Sequence, residues 1–242
     1  MCVRNSPNKA SKRTSSKRTK EYAVTKPFTL WLAALACILL AVAAPVQAQN
    51  PLLEGKDYVR IEPPLATSNP NKIEVVEYFS YACPHCSELN PYLHKWESQL
   101  SADVVFSRVP VNFNPFYLLM ARLYYSLEEI GELKRLDSAV FSAIHEKGVK
   151  LIDDQSILEW VTSQGVDAKK FSSAYHSFAV ANKVRQAEQQ AKDSKLQGVP
   201  TLVVDGRYRV VGKNIKSTAE LLLITDKLID MARQERKSKA KK

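Results

Sequence analysis

The chain has 242 residues, 45% of them hydrophobic and 25% charged, with 35 Lys and Arg against 25 Asp and Glu for a formal charge of +10. This composition excludes a disordered or low-complexity polymer, and four cysteines in a chain of this length exclude a small scaffold stapled by disulfides. The positive charge sits at the two ends: residues 1–48 carry +7, the tail from Arg233 carries +5, and the stretch between them is −2, which excludes a nucleic-acid groove as the source of the basic balance.

Residues 1–27 are rich in Lys and Arg with Glu21 as their one acid, the chain turns apolar from Phe28 to Ala44, and Val46-Gln47-Ala48 places small residues where a signal peptidase cuts. Residues 1–48 therefore read as a cleavable secretory signal. An uncleaved anchor is the alternative, because an apolar run of about 17 residues lies at the short edge of what spans a bilayer; the polar Gln49-Asn50 favours cleavage. Cys2 and Cys37 leave with the leader. The mature chain keeps Cys83 and Cys86, a pair that closes too small a loop to add much stability, so its value is chemical.

Residues 49–71 are rich in Pro and Asn, with a short strand expected near Tyr58 to Ile61. Lys72 to Ser80 is β-branched, aromatic and almost continuously apolar, the pattern of a strand covered on both faces. Residues 84–100 read as a helix: Pro84 suits a first turn, Leu89, Leu93, Trp96 and Leu100 recur at helical spacing, and Pro91 is expected to kink it. Val104 to Phe113 is a second strand. Helical faces then begin at Phe116 and recur after Leu133, Asp154 and Asp167, giving four helices before Lys192. Leu202 to Val204 and Tyr208 to Val211 form a hairpin around a two-residue Asp205-Gly206 turn, and Thr218 to Gln234 is a closing helix with a solvated basic end. This order predicts an α/β chain, a thioredoxin fold with an inserted α-helical domain. Residues 49–114 and 193–236 are its two thioredoxin-like parts, 115–192 the insertion and 237–242 a basic tail.

Cys83-Pro84-His85-Cys86 follows the apolar strand and opens the helix. At a helix N-terminus, free backbone N–H groups and the positive end of the dipole favour a thiolate at Cys83. Cys86, one turn on and shielded by the helix, is the partner sulfur, and positive charge on His85 favours the reduced state, which makes the disulfide a stronger oxidant. Metal is disfavoured: tetrahedral zinc needs four ligands, and beyond His85 the mature chain offers His94, His145 and His176, which read as surface or interhelix residues. Glu77 is an acid inside an apolar strand. It is either an outward-facing edge residue or a buried carboxylate that moves protons during exchange, and flanking Val76 and Tyr78 favour burial.

Glu77 to Cys86, together with Gly198-Val199-Pro200, resembles the DsbA family of bacterial periplasmic disulfide oxidases, and the resemblance spans the mature chain. It implies that Pro200 is a cis-proline facing the cysteines, where the residue alone allows a trans turn proline too. It implies that Val199 offers backbone hydrogen bonds to bound peptide and that Glu77 is the family's buried acid. Arg108 stands where close members carry lysine; an arginine cannot shed its proton, so it is expected to serve as a charge partner. The resemblance further implies a monomeric periplasmic oxidase of reduced exported polypeptides, reoxidised by a DsbB-like membrane quinone reductase, with no cofactor beyond the Cys83-Cys86 disulfide. The rivals are a reductase or isomerase of the same compartment, for which residues 49–71 leave little room for a dimerisation domain, and a peptide-binding module without turnover.

Overall fold

The structure, a computed structural model, describes residues 51–212 and 215–239; the leader assigned to residues 1–48, with Cys2 and Cys37, lies outside the described residues. Strands β1 (Tyr58–Arg60), β2 (Ile73–Phe79), β3 (Val104–Pro110), β4 (Thr201–Val204) and β5 (Tyr208–Val210) form one sheet in the order β1-β5-β4-β2-β3. β2 runs antiparallel to β4 and parallel to β3. It lies inside the sheet, between β4 and the edge strand β3, because its β-branched and aromatic run fits a pleated surface covered on both sides, and Val76 alone among its residues is less than fully buried.

Helix α1 (Pro84–Glu97) makes the crossover from β2 to β3 and continues through Pro91, which removes one rung of its hydrogen-bond ladder. It packs with the C-terminal helix α7 (Thr218–Lys239) on one face of the sheet, where Leu89, Leu93 and Trp96 meet Val75, Leu202 and Leu228. Trp96 Nε1 donates to Asp226 Oδ1 at 2.7 Å and so ties the two helices. The second core gathers Tyr78, Phe79 and Val203 of the sheet with the helices inserted between β3 and β4. The architecture is the α/β thioredoxin fold with a helical insertion.

The insertion holds five helices where the periodicity predicts four: α2 (Pro115–Glu129), α3 (Leu133–His145), α4 (Asp154–Ser163), α5 (Ala168–Tyr175) and α6 (Phe178–Asp193). The extra break falls at Ser177, whose hydroxyl accepts the Val180 N–H at 3.1 Å and caps a new helix start. The hairpin turn also differs. Val204 pairs with Tyr208, so three residues intervene instead of two. Asp205 and Gly206 both have left-handed φ, at 55° and 61°. Arg207 is the added residue: its N–H returns to the Val204 carbonyl at 3.0 Å, and its own carbonyl accepts the Ile61 N–H at 2.7 Å. β3 ends at Pro110 rather than Phe113 because its partner β2 ends at Phe79, the residue in register with it.

α7 runs on to Lys239, and its basic end is not simply solvated. Arg233 Nε donates to Asp103 Oδ2 at 2.7 Å, Arg236 Nε to Asp205 Oδ2 at 3.2 Å, and Arg236 Nη1 to the Pro70 carbonyl at 2.7 Å. The arginines clamp the helix onto the loops at one end of the sheet.

Gly206 allows the closest approach in this region, since its carbonyl accepts the Leu65 N–H at 2.9 Å and an added Cβ would run into the Leu65 carbonyl oxygen. Gly206→Ala therefore meets a backbone clash on top of about 1–2 kcal/mol for the left-handed conformation. Gly165→Ala, also at positive φ but with open space around the new methyl, carries the conformational cost alone. Urea unfolding of the two variants is expected to show the larger loss at Gly206; equal losses would mean that the Leu65 contact carries no weight.

Candidate active site

β2 delivers the chain to Cys83 in an extended conformation (φ −92°, ψ 117°), and Pro84 then opens α1, making Cys83 the residue that caps the helix. The Cys83 carbonyl accepts the N–H groups of Cys86 and Ser87, each at 3.1 Å, while the Cys83 N–H is held by the Ser80 carbonyl at 3.0 Å. Both thiols are free, and both are buried, Cys86 completely. Cys83 Sγ lies 3.4 Å from the Val199 carbonyl oxygen, to which its S–H donates. The Val199-Pro200 peptide is cis, so the loop that enters β4 sits directly against the first sulfur.

The two sulfurs occupy opposite environments. Cys83 is brought down to about 6, first by the hydrogen bond from Cys86, then by the backbone N–H groups of Cys86 and His85 and the charge of His85, against the opposing effect of burial. Cys86 is pushed well up, by burial first and then by its role as donor to Cys83 and the nearby charge of Glu77. Pro84 and His85 are exposed. His85 Nδ1 pairs with Glu88 Oε2 at 3.1 Å, and this hydrogen bond raises the imidazole. Tyr117, in the first turn of α2, lies within electrostatic range of the pair; its phenol is raised by burial first and then by the two cysteines.

Glu77 is fully buried, on the α1 side of β2, and Arg108 stands opposite it in the parallel register. Arg108 Nε donates to Glu77 Oε2 at 2.6 Å; among the described residues, Glu77 Oε1 has no hydrogen-bond partner. Burial raises the Glu77 carboxyl, and the charge and hydrogen bond of Arg108 restrain the rise. The guanidinium also lies 4.0 Å from the centroid of Phe79. Such stacking is available to a planar cation and not to an ammonium in the same form.

Four further residues, Tyr81, Asp137, His94 and His145, join the site without the sequence pattern singling them out as functional. Arg108 Nη1 donates to Asp137 Oδ2 at 2.7 Å, and Tyr81 donates its hydroxyl to Asp137 Oδ1, also at 2.7 Å. Asp137 is an acid on the apolar face of α3, between Leu136 and Val140, the same kind of signal that marks Glu77 in its strand. His94, read as helix surface, has Nε2 3.4 Å from Asp137 Oδ2. His145, read as an ordinary surface or interhelix residue, donates from Nε2 to the Tyr81 carbonyl at 2.7 Å and holds the turn that precedes Cys83. His176 is exposed beyond the end of α5. No group of three or more His, Cys, Asp or Glu among the described residues is placed to hold a metal ion.

The sequence matches the family description "DSBA-like thioredoxin domain" over residues 104–220. The thiol:disulfide interchange protein DsbA of Bordetella parapertussis is 38% identical over 211 residues, covering 86% of this chain and 98% of the relative. DsbA of Pseudomonas aeruginosa is 37% identical over 179 residues, covering 74% and 85%. The crystal structure of Pseudomonas aeruginosa DsbA superposes with a TM-score of 0.74 at 36% identity, over 77% of this chain and 97% of that one. The oxidoreductase DsbA from Xylella fastidiosa gives 0.71 at 33% identity, over 77% and 100%.

The low Cys83 value makes a stability prediction for the reduced protein. A thiol whose folded value is depressed contributes stability in full above its unfolded value, near 8.5, and loses it as pH falls through about 6. Cys86, raised instead, contributes below about 8.5 and loses that contribution only at higher pH. Between pH 6 and 8.5 the stability of the reduced protein relative to Cys83→Ser is therefore expected to rise with pH in denaturant unfolding. A difference that stays flat across this window would contradict the thiolate assignment.

Proposed function

Because the chain belongs to the DsbA family and is a thiol:disulfide oxidoreductase whose redox group is a cysteine disulfide, we propose that Cys83 is the sulfur attacked by substrate and Cys86 the sulfur that leaves. A thiolate of a reduced polypeptide attacks Cys83 Sγ, the Cys83–Cys86 bond breaks, and Cys86 departs with the bonding electron pair. The second substrate thiolate then attacks the substrate sulfur of the mixed disulfide, forms the substrate disulfide and releases Cys83 as thiolate. Two electrons pass from the substrate's sulfurs to the pair. The observation that carries this reading is the contrast between the two thiols, Cys83 stabilised as thiolate at about 6 and Cys86 held protonated in the core.

Other residues take roles consistent with their positions. Pro84 starts the helix whose N–H groups serve Cys83, and exposed His85 adds positive charge beside it. Val199 and cis Pro200 line the approach to Cys83, and the Val199 backbone is placed to pair with an extended peptide bound beside the sulfur. Glu77, through its unengaged Oε1, supplies the proton that Cys86 needs on leaving and accepts it on reoxidation.

Substrates are polypeptides exported in reduced form, and the site of action is the periplasm, reached through the leader at residues 1–48. No helix among the described residues is long and apolar enough to cross a membrane. Reoxidation falls to a DsbB-like quinone reductase of the membrane. The protein acts as a monomer, since one chain supplies both cysteines, Glu77 and the Val199-Pro200 loop. Residues 49–114 and 193–236 form the catalytic framework, 115–192 the insertion that brings Tyr117 and Asp137 to it, and 237–242 the tail.

The assignment of roles is tested by two variants in oxidation of a reduced two-cysteine peptide. Cys83→Ser is expected to lose exchange altogether. Cys86→Ser is expected to accumulate mixed disulfides when given an oxidised substrate, visible as a mass shift on non-reducing gels. Normal turnover by Cys86→Ser would contradict the assignment, and trapping by Cys83→Ser instead would reverse the two roles.

A further inference from the structure

Arg108 is one cation held between two buried carboxylates. The Arg108, Glu77 and Asp137 side chains are 10%, 0% and 7% exposed. With both acids ionised the trio carries one net negative charge in a setting where unbalanced charge is costly. The network reaches solvent at His94, whose side chain is 49% exposed and whose Nε2 stands 3.4 Å from Asp137 Oδ2. A proton on His94 brings the sum to zero. When His94 is neutral, a proton on Glu77 does the same.

We propose that Asp137 and His94 are positioning residues for thiol exchange: with Arg108 they hold a single proton that resides on Glu77 or on His94, so that a surface imidazole sets the protonation of the buried acid beside Cys86. This rests on the reading of Glu77 as the group that exchanges a proton with Cys86. When Cys86 leaves the disulfide as thiolate, Glu77 gives it a proton and becomes carboxylate. His94 then takes a proton from water, and neutrality returns. Reoxidation runs the transfers backwards.

The groups that face each member are few. Glu77 meets Arg108 of β3, with Asp137, His94 and Cys86 in electrostatic range. Asp137 meets Arg108, His94 and the Tyr81 hydroxyl. His94 meets Asp137 and Ser138 of α3, Arg108 of β3 and Glu97 of its own helix. The Asp137 contact raises His94, and burial raises Glu77, so both compete for the proton.

The test is the pH profile of single-turnover reduction of the disulfide form by a two-cysteine peptide, corrected for the peptide's own thiolate fraction between pH 5 and 8. The His94 imidazole is titrated by NMR in the same samples. The wild-type profile is expected to show an inflection at the His94 midpoint. His94→Gln, a change at a half-exposed position, should lose that inflection. Asp137→Asn should lose it as well and lower the His94 midpoint, and adding His94→Gln to Asp137→Asn should change nothing more. If Glu77→Gln leaves rate and profile as in the wild type, the assignment of Glu77 fails. If Glu77→Gln removes the inflection but His94→Gln keeps it, or if Asp137→Asn leaves the His94 midpoint in place, the coupling proposed here is wrong.

Discussion

Two sulfurs three positions apart need unequal surroundings if one is to be attacked and the other to leave, and here the inequality follows from where β2 ends. A strand buried on both faces carries the chain through the interior of the sheet, between β4 and β3, and stops at Phe79. The turn that follows delivers Cys83 in an extended conformation immediately before a helix whose first residue is proline. The helix start therefore places backbone N–H groups, those of Cys86 and His85, where they lower the Cys83 thiol, while the helical turn carries Cys86 into the core. Moving the helix start by one residue would rotate both thiols by about 100° around the axis and take Cys83 out of the capping position. The cis Val199-Pro200 loop, the Ser80 carbonyl and the His145 contact to Tyr81 all act on this one junction.

Beneath the pair lies a second constraint, a buried cluster of charge. Removing an ion from water is costly, and an ion pair recovers that cost only when its remaining hydrogen-bond sites are filled. Arg108 answers with two short bonds, to Glu77 and Asp137, and with its face on Phe79. Yet Glu77 Oε1 and Arg108 Nη2 have no hydrogen-bond partner among the described residues. A lysine at position 108 would be a titratable point charge; arginine fixes the positive charge, so in the proposed relay the variable protonation resides on the carboxylates and on His94.

The sheet and the redox junction were legible in the residues because the physics there is local. A β-branched strand, a proline at a helix start and Asp-Gly at a turn each act within a few residues. The boundary between α5 and α6 was not, since neither glycine nor proline marks it and a serine hydroxyl alone divides the helices. The third residue of the hairpin turn was hidden for another reason: Arg207 is accommodated by distant Ile61. Glu77 stood out as an acid in an apolar strand, and Asp137 carried the same signal in an amphipathic helix. It went unread because charged residues are ordinary in helices and its partners lie in β3 and in the turn at Tyr81, far away in sequence. The clamp of Arg233 and Arg236 on Asp103 and Asp205 likewise turned a basic tail into structure.

The direction of the chemistry follows from the same contrast, because stabilising the Cys83 thiolate stabilises the reduced state and makes the disulfide the stronger oxidant. The most direct test is the reduction potential of the Cys83-Cys86 pair, measured by equilibration of the purified protein with glutathione redox buffers. The value predicted is well above roughly −270 mV, the potential typical of thioredoxin. A potential at or below that figure would make the pair a reductant and contradict the account.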